Sequence, residues 1–125
     1  MAKLLSVFGY QGDAMNLPVA DVASAAAFYV DKMGFSVAEE MQAPVNKTVF
    51  ERDGIQFAIA ENGGDPEHDG CAFHTDDVES LRDEFIANGF ANIGKIDEEK
   101  RDGSTFKVFF VVAPDGLCYW FGQRQ

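Results

Sequence analysis

The chain says the same thing twice. Residues 15–35, MNLPVADVASAAAFYVDKMGF, and residues 71–90, CAFHTDDVESLRDEFIANGF, share one order of features. Each has a short apolar strand, an acidic cap (Asp21, Asp77), an amphipathic helix and a Gly-Phe stop (Gly34-Phe35, Gly89-Phe90). The two caps are 56 residues apart. A repeat of that length is one supersecondary unit, unable to bury its apolar face alone. Only two copies fit in 125 residues, which predicts a paired βαβββ architecture of the α+β class rather than a solenoid. A single domain, 1–125, is expected, with module 1 over about 14–61, a linker over 62–69 and module 2 over about 70–123.

Composition narrows the function. Hydrophobic residues make up 46% of the chain, with 12 Phe, so a full core can form. No apolar run approaches the roughly 18–20 residues that span a bilayer. The opening MAKLLSVFGYQGD is too short in its apolar part for a secretory signal. A soluble, cytoplasmic protein is the expectation. The net charge of -11 opposes nucleic-acid binding, which needs basic patches to displace counterions. It is compatible with attraction of cationic small molecules, although ordinary solubility is the plainer explanation. The two cysteines, Cys71 and Cys118, show no CxxC or zinc spacing, and a disulfide framework is not expected.

Local patterning sets the elements. LLSVFGY, residues 4–10, reads as an extra strand able to cross to a partner, and residues 14–19 read as the first strand of module 1. The first helix starts at Asp21 and places Val22, Ala26, Tyr29 and Met33 on one face. FSVAEEMQ and KTVFERDGIQFAIAE follow, with Asp53-Gly54 as a hairpin turn. Ile55, Phe57 and Ile59 face the helix; Gln56, Ala58 and Ala60 face away. In the second copy Val78, Leu81, Phe85 and Ile86 form the helical stripe. ANIGKI, 91–96, reads as a short strand and 97–102 as a solvated turn. TFKVFFVV, APDG and LCYWFG read as strand, turn and strand. In the last strand Leu117, Tyr119 and Phe121 share one face, and Cys118 and Trp120 the other. A tight hairpin setting Val112 opposite Leu117 would put Lys107 and Phe109 on the face of Trp120.

The ordered combination of LPVADVASAAAFYVDKMGF, HTDDVESLRDEFIANGF and APDGLCYWFGQ resembles the vicinal oxygen chelate superfamily, over about residues 14–123. That superfamily includes glyoxalase I, extradiol dioxygenases, and fosfomycin and bleomycin resistance proteins. The resemblance implies two βαβββ modules whose curved mixed sheets surround a cleft, with helices outside. It also implies one divalent metal held by four side chains, from the first and last strand of each module. Those positions carry Ala14, Ala58, Gly70 and Trp120 here. None can ligate through its side chain, so the expectation is no metal and no cofactor. What remains resembles the metal-free, bleomycin-resistance-like branch, which binds drugs without chemistry in clefts at a dimer interface. A homodimer is expected.

Strand periodicity assigns the cleft to Asn16, Gln56, His74, Cys118 and Trp120, joined by Lys107 and Phe109. An indole at position 120 can floor a pocket and stack on a planar or cationic ligand, or simply fill the space of a missing metal. His74 is either a polar ligand contact or a hydrogen-bonded structural residue. His68 reads as solvated, Asp115 as part of a turn, Asp76 and Asp77 as helix-capping, and Cys118 as an inert thiol. No catalytic residue is assigned. The expected function is non-enzymatic sequestration of a cationic or planar drug or toxin. The alternatives are a metal-dependent lyase, isomerase or dioxygenase, and a ligand-free dimeric interaction unit. The expected partner is a small molecule, with neither nucleic acid nor membrane.

Overall fold

Both helices begin where an aspartate carboxylate accepts an otherwise unpaired backbone N–H. Asp21 takes Ser24 N and opens α1 (Val22–Met33); Asp77 takes Ser80 N and opens α2 (Val78–Ala87). Gly34 closes α1 in the left-handed conformation, φ 72°, which glycine adopts without steric cost. The computed structural model describes residues 2–91 and 93–125. Around the helices run β1 (Leu4–Gly9), β2 (Leu17–Pro18), β3 (Ser36–Met41), β4 (Lys47–Arg52) and β5 (Ile55–Ala60). A short 3-10 turn at Pro66–His68 leads to β6 (Gly70–Thr75), β7 (Asp97–Arg101), β8 (Ser104–Val112) and β9 (Cys118–Arg124).

The strands form two mixed sheets, β2-β5-β4-β3 and β1-β6-β9-β8-β7. In each, the module's first strand lies parallel beside its last, and antiparallel pairs complete the sheet. The fold is thus α+β, built from two βαβββ units, with β1 added antiparallel to β6 of its own chain. The repeat in the sequence is a repeat of topology. No described helix is long and apolar enough to cross a membrane.

Several sequence expectations need correction. Residues 97–102 are β7 followed by a turn. Asp102 (φ 50°) and Gly103 (φ 79°) repeat the two-residue hairpin of Asp53 (φ 55°) and Gly54 (φ 78°). An all-polar strand at a sheet edge lacks the alternation that marks a half-buried one, so only its Asp-Gly turn signals it. Within 91–96, Asn92 lies outside the described residues and Ile93 makes a single bridge to Val111. Ile86 is exposed, off the stripe of Val78, Leu81 and Phe85. The connection after β8 is five residues, 113–117, so Val112 pairs with Cys118, Phe110 with Trp120 and Phe109 with Phe121.

One core joins both modules. Phe57 of the first sheet lies 5.5 Å from Phe73 and 5.9 Å from Tyr119 of the second, ring centroid to centroid. α1 packs on β3 and β4, and α2 on β8 and β9. Each large apolar side chain fully buried here stabilises the fold by about 1.5–3 kcal/mol relative to exposure. Polar groups that enter the core are paired: Tyr119 OH donates to Tyr29 OH (2.6 Å), which donates to Asp115 Oδ2 (2.6 Å). Asp115 Oδ1 also accepts Leu117 N at 2.9 Å, so the APDG turn is fastened to α1. Burial holds the Asp115 carboxyl above its ordinary value despite these donors. Because the inner faces of both sheets meet in this core, their outer faces point away from each other within one chain.

Candidate ligand-binding site

Period-two alternation carries Trp120 to the outer face of the second sheet, opposite the core residues Tyr119 and Phe121. Register then decides its neighbours. Ala72 pairs with Trp120 from β6, and Phe110 from β8. Ala72, Phe106, Val108 and Trp120 form a small apolar cluster of their own. His74 stands edge-on, 5.0 Å from Trp120 and 5.5 Å from Phe106, and Phe8 of β1 meets His74 at 6.0 Å. Gly122 makes this possible: a Cβ there would lie 2.1 Å from the indole ring.

The β7–β8 hairpin covers the indole. Trp120 Nε1 donates to Glu99 Oε1 at 3.2 Å, and the Arg101 guanidinium, paired with Glu99, sits 4.8 Å from the ring centroid. Trp120 is only 1% exposed. Beside it opens a pocket of about 520 Å³ lined by Phe8, Ala72, His74, Arg101, Asp102, Ser104, Phe106, Trp120 and Arg124. Partial burial, then the nearby Arg101 charge, hold His74 below its ordinary 6.5, so the imidazole is neutral at neutral pH.

Of the residues assigned to the cleft from sequence, Trp120 and His74 come together. Cys118 shares their outer face, but its neighbour is Tyr10, and burial raises its thiol pKa. Phe109 and Lys107 do not belong to this face. Phe109 is buried against Phe121 and Phe85 in the core, and Lys107 reaches Glu79 of α2 at 3.3 Å. The cause is the extra residue in the 113–117 connection, since a slip of one residue moves every side chain to the other face. Asn16 and Gln56 lie on the outer face of the first sheet. Asn16 bonds Asp13 and Lys47, and Gln56 bonds Glu51. The core separates them from Trp120. Phe8, Arg101, Phe106 and Arg124 escaped the sequence reading. A hairpin at Asp102-Gly103 and the corrected register were the signals for the middle two, alternation carried on from Trp120 to the end of β9 was the signal for Arg124, and nothing local marked Phe8.

The metal implied by the sequence resemblance does not fit these residues. Ala14, Ala58 and Trp120 offer no donor, and at Gly70 a Cβ would stand 1.7 Å from the Cys118 carbonyl oxygen. Among the described residues no three His, Cys, Asp or Glu side chains come together as a metal-binding group. Cys71 and Cys118 are free, on opposite faces of their paired strands.

Two βαβββ units in this strand order constitute the vicinal oxygen chelate fold expected from the sequence; within one chain, however, the helices pack on the inner faces that share the core, not outside a cleft between the sheets. Residues 14–52 match the family described as bleomycin resistance protein-like N-terminal. Solved structures of the same shape include TnmS3, an antibiotic binding protein from Streptomyces sp. CB03234, with TM-score 0.70 and 17% identity over 89% of this chain and 93% of that one. A glyoxalase/bleomycin resistance protein/dioxygenase from Alicyclobacillus acidocaldarius gives 0.70 and 17%, over 88% of both chains. The bleomycin resistance determinant encoded on transposon Tn5 gives 0.68 and 22%, over 89% of this chain and 95% of that one. No curated protein matches the chain.

Proposed function

We propose that this chain is a non-catalytic small-molecule-binding protein that sequesters a planar aromatic compound at the Trp120 pocket. The carrying observation is a pocket walled by Phe8, His74, Phe106 and Trp120, while no three metal-ligating His, Cys, Asp or Glu side chains come together among the described residues. The pocket sets apolar Phe8, Ala72, Phe106 and Trp120 beside polar groups able to orient a ligand, the combination that small-molecule sites use. The likeness to an antibiotic binding protein and to a bleomycin resistance determinant supports it. Since Arg101 already lies over the indole, the ligand would rest against Phe8, His74, Phe106 and Arg101 rather than on Trp120 itself. Trp120 is the only tryptophan, so its fluorescence reports on the pocket. Saturable quenching by at least one member of a panel of acridine, flavone and naphthalene compounds is expected, weakened several-fold in Phe8→Ala. Chemical turnover of a bound compound would sink the non-catalytic reading, and quenching indifferent to Phe8 would place the site elsewhere.

The same reading takes a second copy as the partner that closes the cleft. Phe8 (60% exposed), Tyr10, Phe110 and Val112 all present apolar surface on the outer face of the second sheet. Four such side chains share one face, and clustered apolar exposure of this kind marks interaction surfaces. β1 pairs within its own chain, so the face itself, rather than an exchanged strand, would form the contact. Sedimentation should give a dimer at high micromolar concentration, and Phe110→Glu a monomer. A wild-type monomer under those conditions ends the idea.

A further inference from the structure

We infer that the ligand of the Trp120 pocket carries an acidic group, a carboxylate, sulfonate or phosphate, attached to its aromatic body. This rests on the binding function proposed above and adds the charge of what is bound. The whole chain bears a net charge of -11 and contains four arginines: Arg52, Arg82, Arg101 and Arg124. Arg52 is spent on Glu84, and Arg82 donates to the Gly94 carbonyl. The other two line this one pocket, together with His74, one of only two histidines in the chain.

The donors there are unspent. Arg101 uses Nε on Glu99, and among the described residues its terminal nitrogens have no hydrogen-bond partner. Arg124 makes neither an ion pair nor a side-chain hydrogen bond among them. Ser104 adds a hydroxyl at the rim. Two acids face these groups. Glu99 is engaged twice, by Trp120 Nε1 and by Arg101. Asp102 sits at the tip of the hairpin turn. The free groups of the lining are therefore two guanidiniums and the Ser104 hydroxyl against the single Asp102 carboxylate, a balance in favour of hydrogen-bond donors. A guanidinium presents a planar fork that fits a carboxylate or phosphate with two parallel bonds. A cationic ligand would meet two guanidiniums instead. The overall negative field slows the approach of an anion, but it is screened over about 8 Å at physiological salt, so the contact groups decide affinity.

The test compares 2-naphthoate, 2-naphthamide and 2-naphthylmethylammonium by calorimetry on the wild-type protein, on Arg101→Gln and on Arg124→Gln, with near-ultraviolet circular dichroism as the check of fold. The three probes share one aromatic body and differ in charge. We expect the carboxylate to bind about ten-fold or more tightly than the amide, the ammonium more weakly than either, and the carboxylate preference to shrink at least several-fold in each variant. Amide or ammonium binding as tight as that of the carboxylate overturns the acidic ligand and leaves the aromatic pocket standing. A carboxylate preference unchanged in both variants also overturns it, because the anion is then read elsewhere. Absence of binding by all three overturns the pocket and the acidic ligand together.

Discussion

Replacing Gly70 by alanine is expected to destabilise the protein by about 3 kcal/mol or more, the upper end for a side chain forced into packed structure. Gly70 opens β6 and pairs with Cys118 of β9. An added Cβ would lie 1.7 Å from the Cys118 carbonyl oxygen and 2.8 Å from the Tyr10 ring. Tyr10 can swing aside. The carbonyl cannot, because β9 sits inside the sheet between β6 and β8. The strain would part β6 from β9 and move His74 and Ala72 away from Trp120. For the same reason Gly70→His, which supplies a donor at one of the four positions where the sequence resemblance implies a metal ligand, should unfold before it gains a metal. Urea unfolding of Gly70→Ala, followed by circular dichroism, measures the first effect; nickel titration of Gly70→His measures the second. A Gly70→Ala protein within about 0.5 kcal/mol of wild type, the range of an ordinary surface change, would refute the close approach of the two strands.

Arg52→Ala should cost about 3 kcal/mol. Arg52 is 10% exposed and joins three elements. Its Nη1 donates to the Met33 carbonyl at the end of α1 (2.8 Å) and to Glu84 Oε2 of α2 (2.7 Å), while Nη2 donates to Glu84 Oε1 (2.7 Å). The bond to Met33 satisfies one of the carbonyls that a helix end leaves without a partner. The fork on Glu84 ties β4 of module 1 to the helix of module 2. Removing one member of a buried pair typically costs about 3–5 kcal/mol, since the other charge is left without compensation. Glu84 is 25% exposed and regains some water, which sets the lower end of that range here. The double variant Arg52→Met, Glu84→Leu should recover most of the loss, because it removes the stranded charge. Denaturant midpoints of the three proteins decide it: a loss below about 1 kcal/mol in Arg52→Ala would mean the pair behaves like an exposed one.

Much of the fold was legible because its rules are local. Asp21 and Asp77 announce their helices by chemistry that acts within three residues, and Asp53-Gly54 turns its hairpin through backbone angles those residues tolerate. Alternation alone divided the faces of β5 and β9: it sets Phe57 and Ile59 toward the helix, and Tyr119 and Phe121 on the side of β9 opposite Trp120. The absence of metal ligands at positions 14, 58, 70 and 120 was equally a matter of residue identity. Register was different. Whether Phe109 or Phe110 stands beside Trp120 depends on one residue in the 113–117 connection, and the Ala113–Leu117 hydrogen bond that sets it forms only when β8 and β9 pair. Nor does any pattern along the chain say that the inner faces of the two sheets share one core, which parts Asn16 and Gln56 from His74 and Trp120. The Arg101 guanidinium over the indole is of the same kind: it requires β7 to fold back along β8 and over β9, a contact between residues 19 positions apart. The sequence by itself determined both helices, the Asp53-Gly54 hairpin and the division of faces along β5 and β9, since each rests on neighbours within a few residues. Only the tertiary structure decided which side chains meet at the site, because pairing between distant strands sets that, and a shift of one residue reverses it.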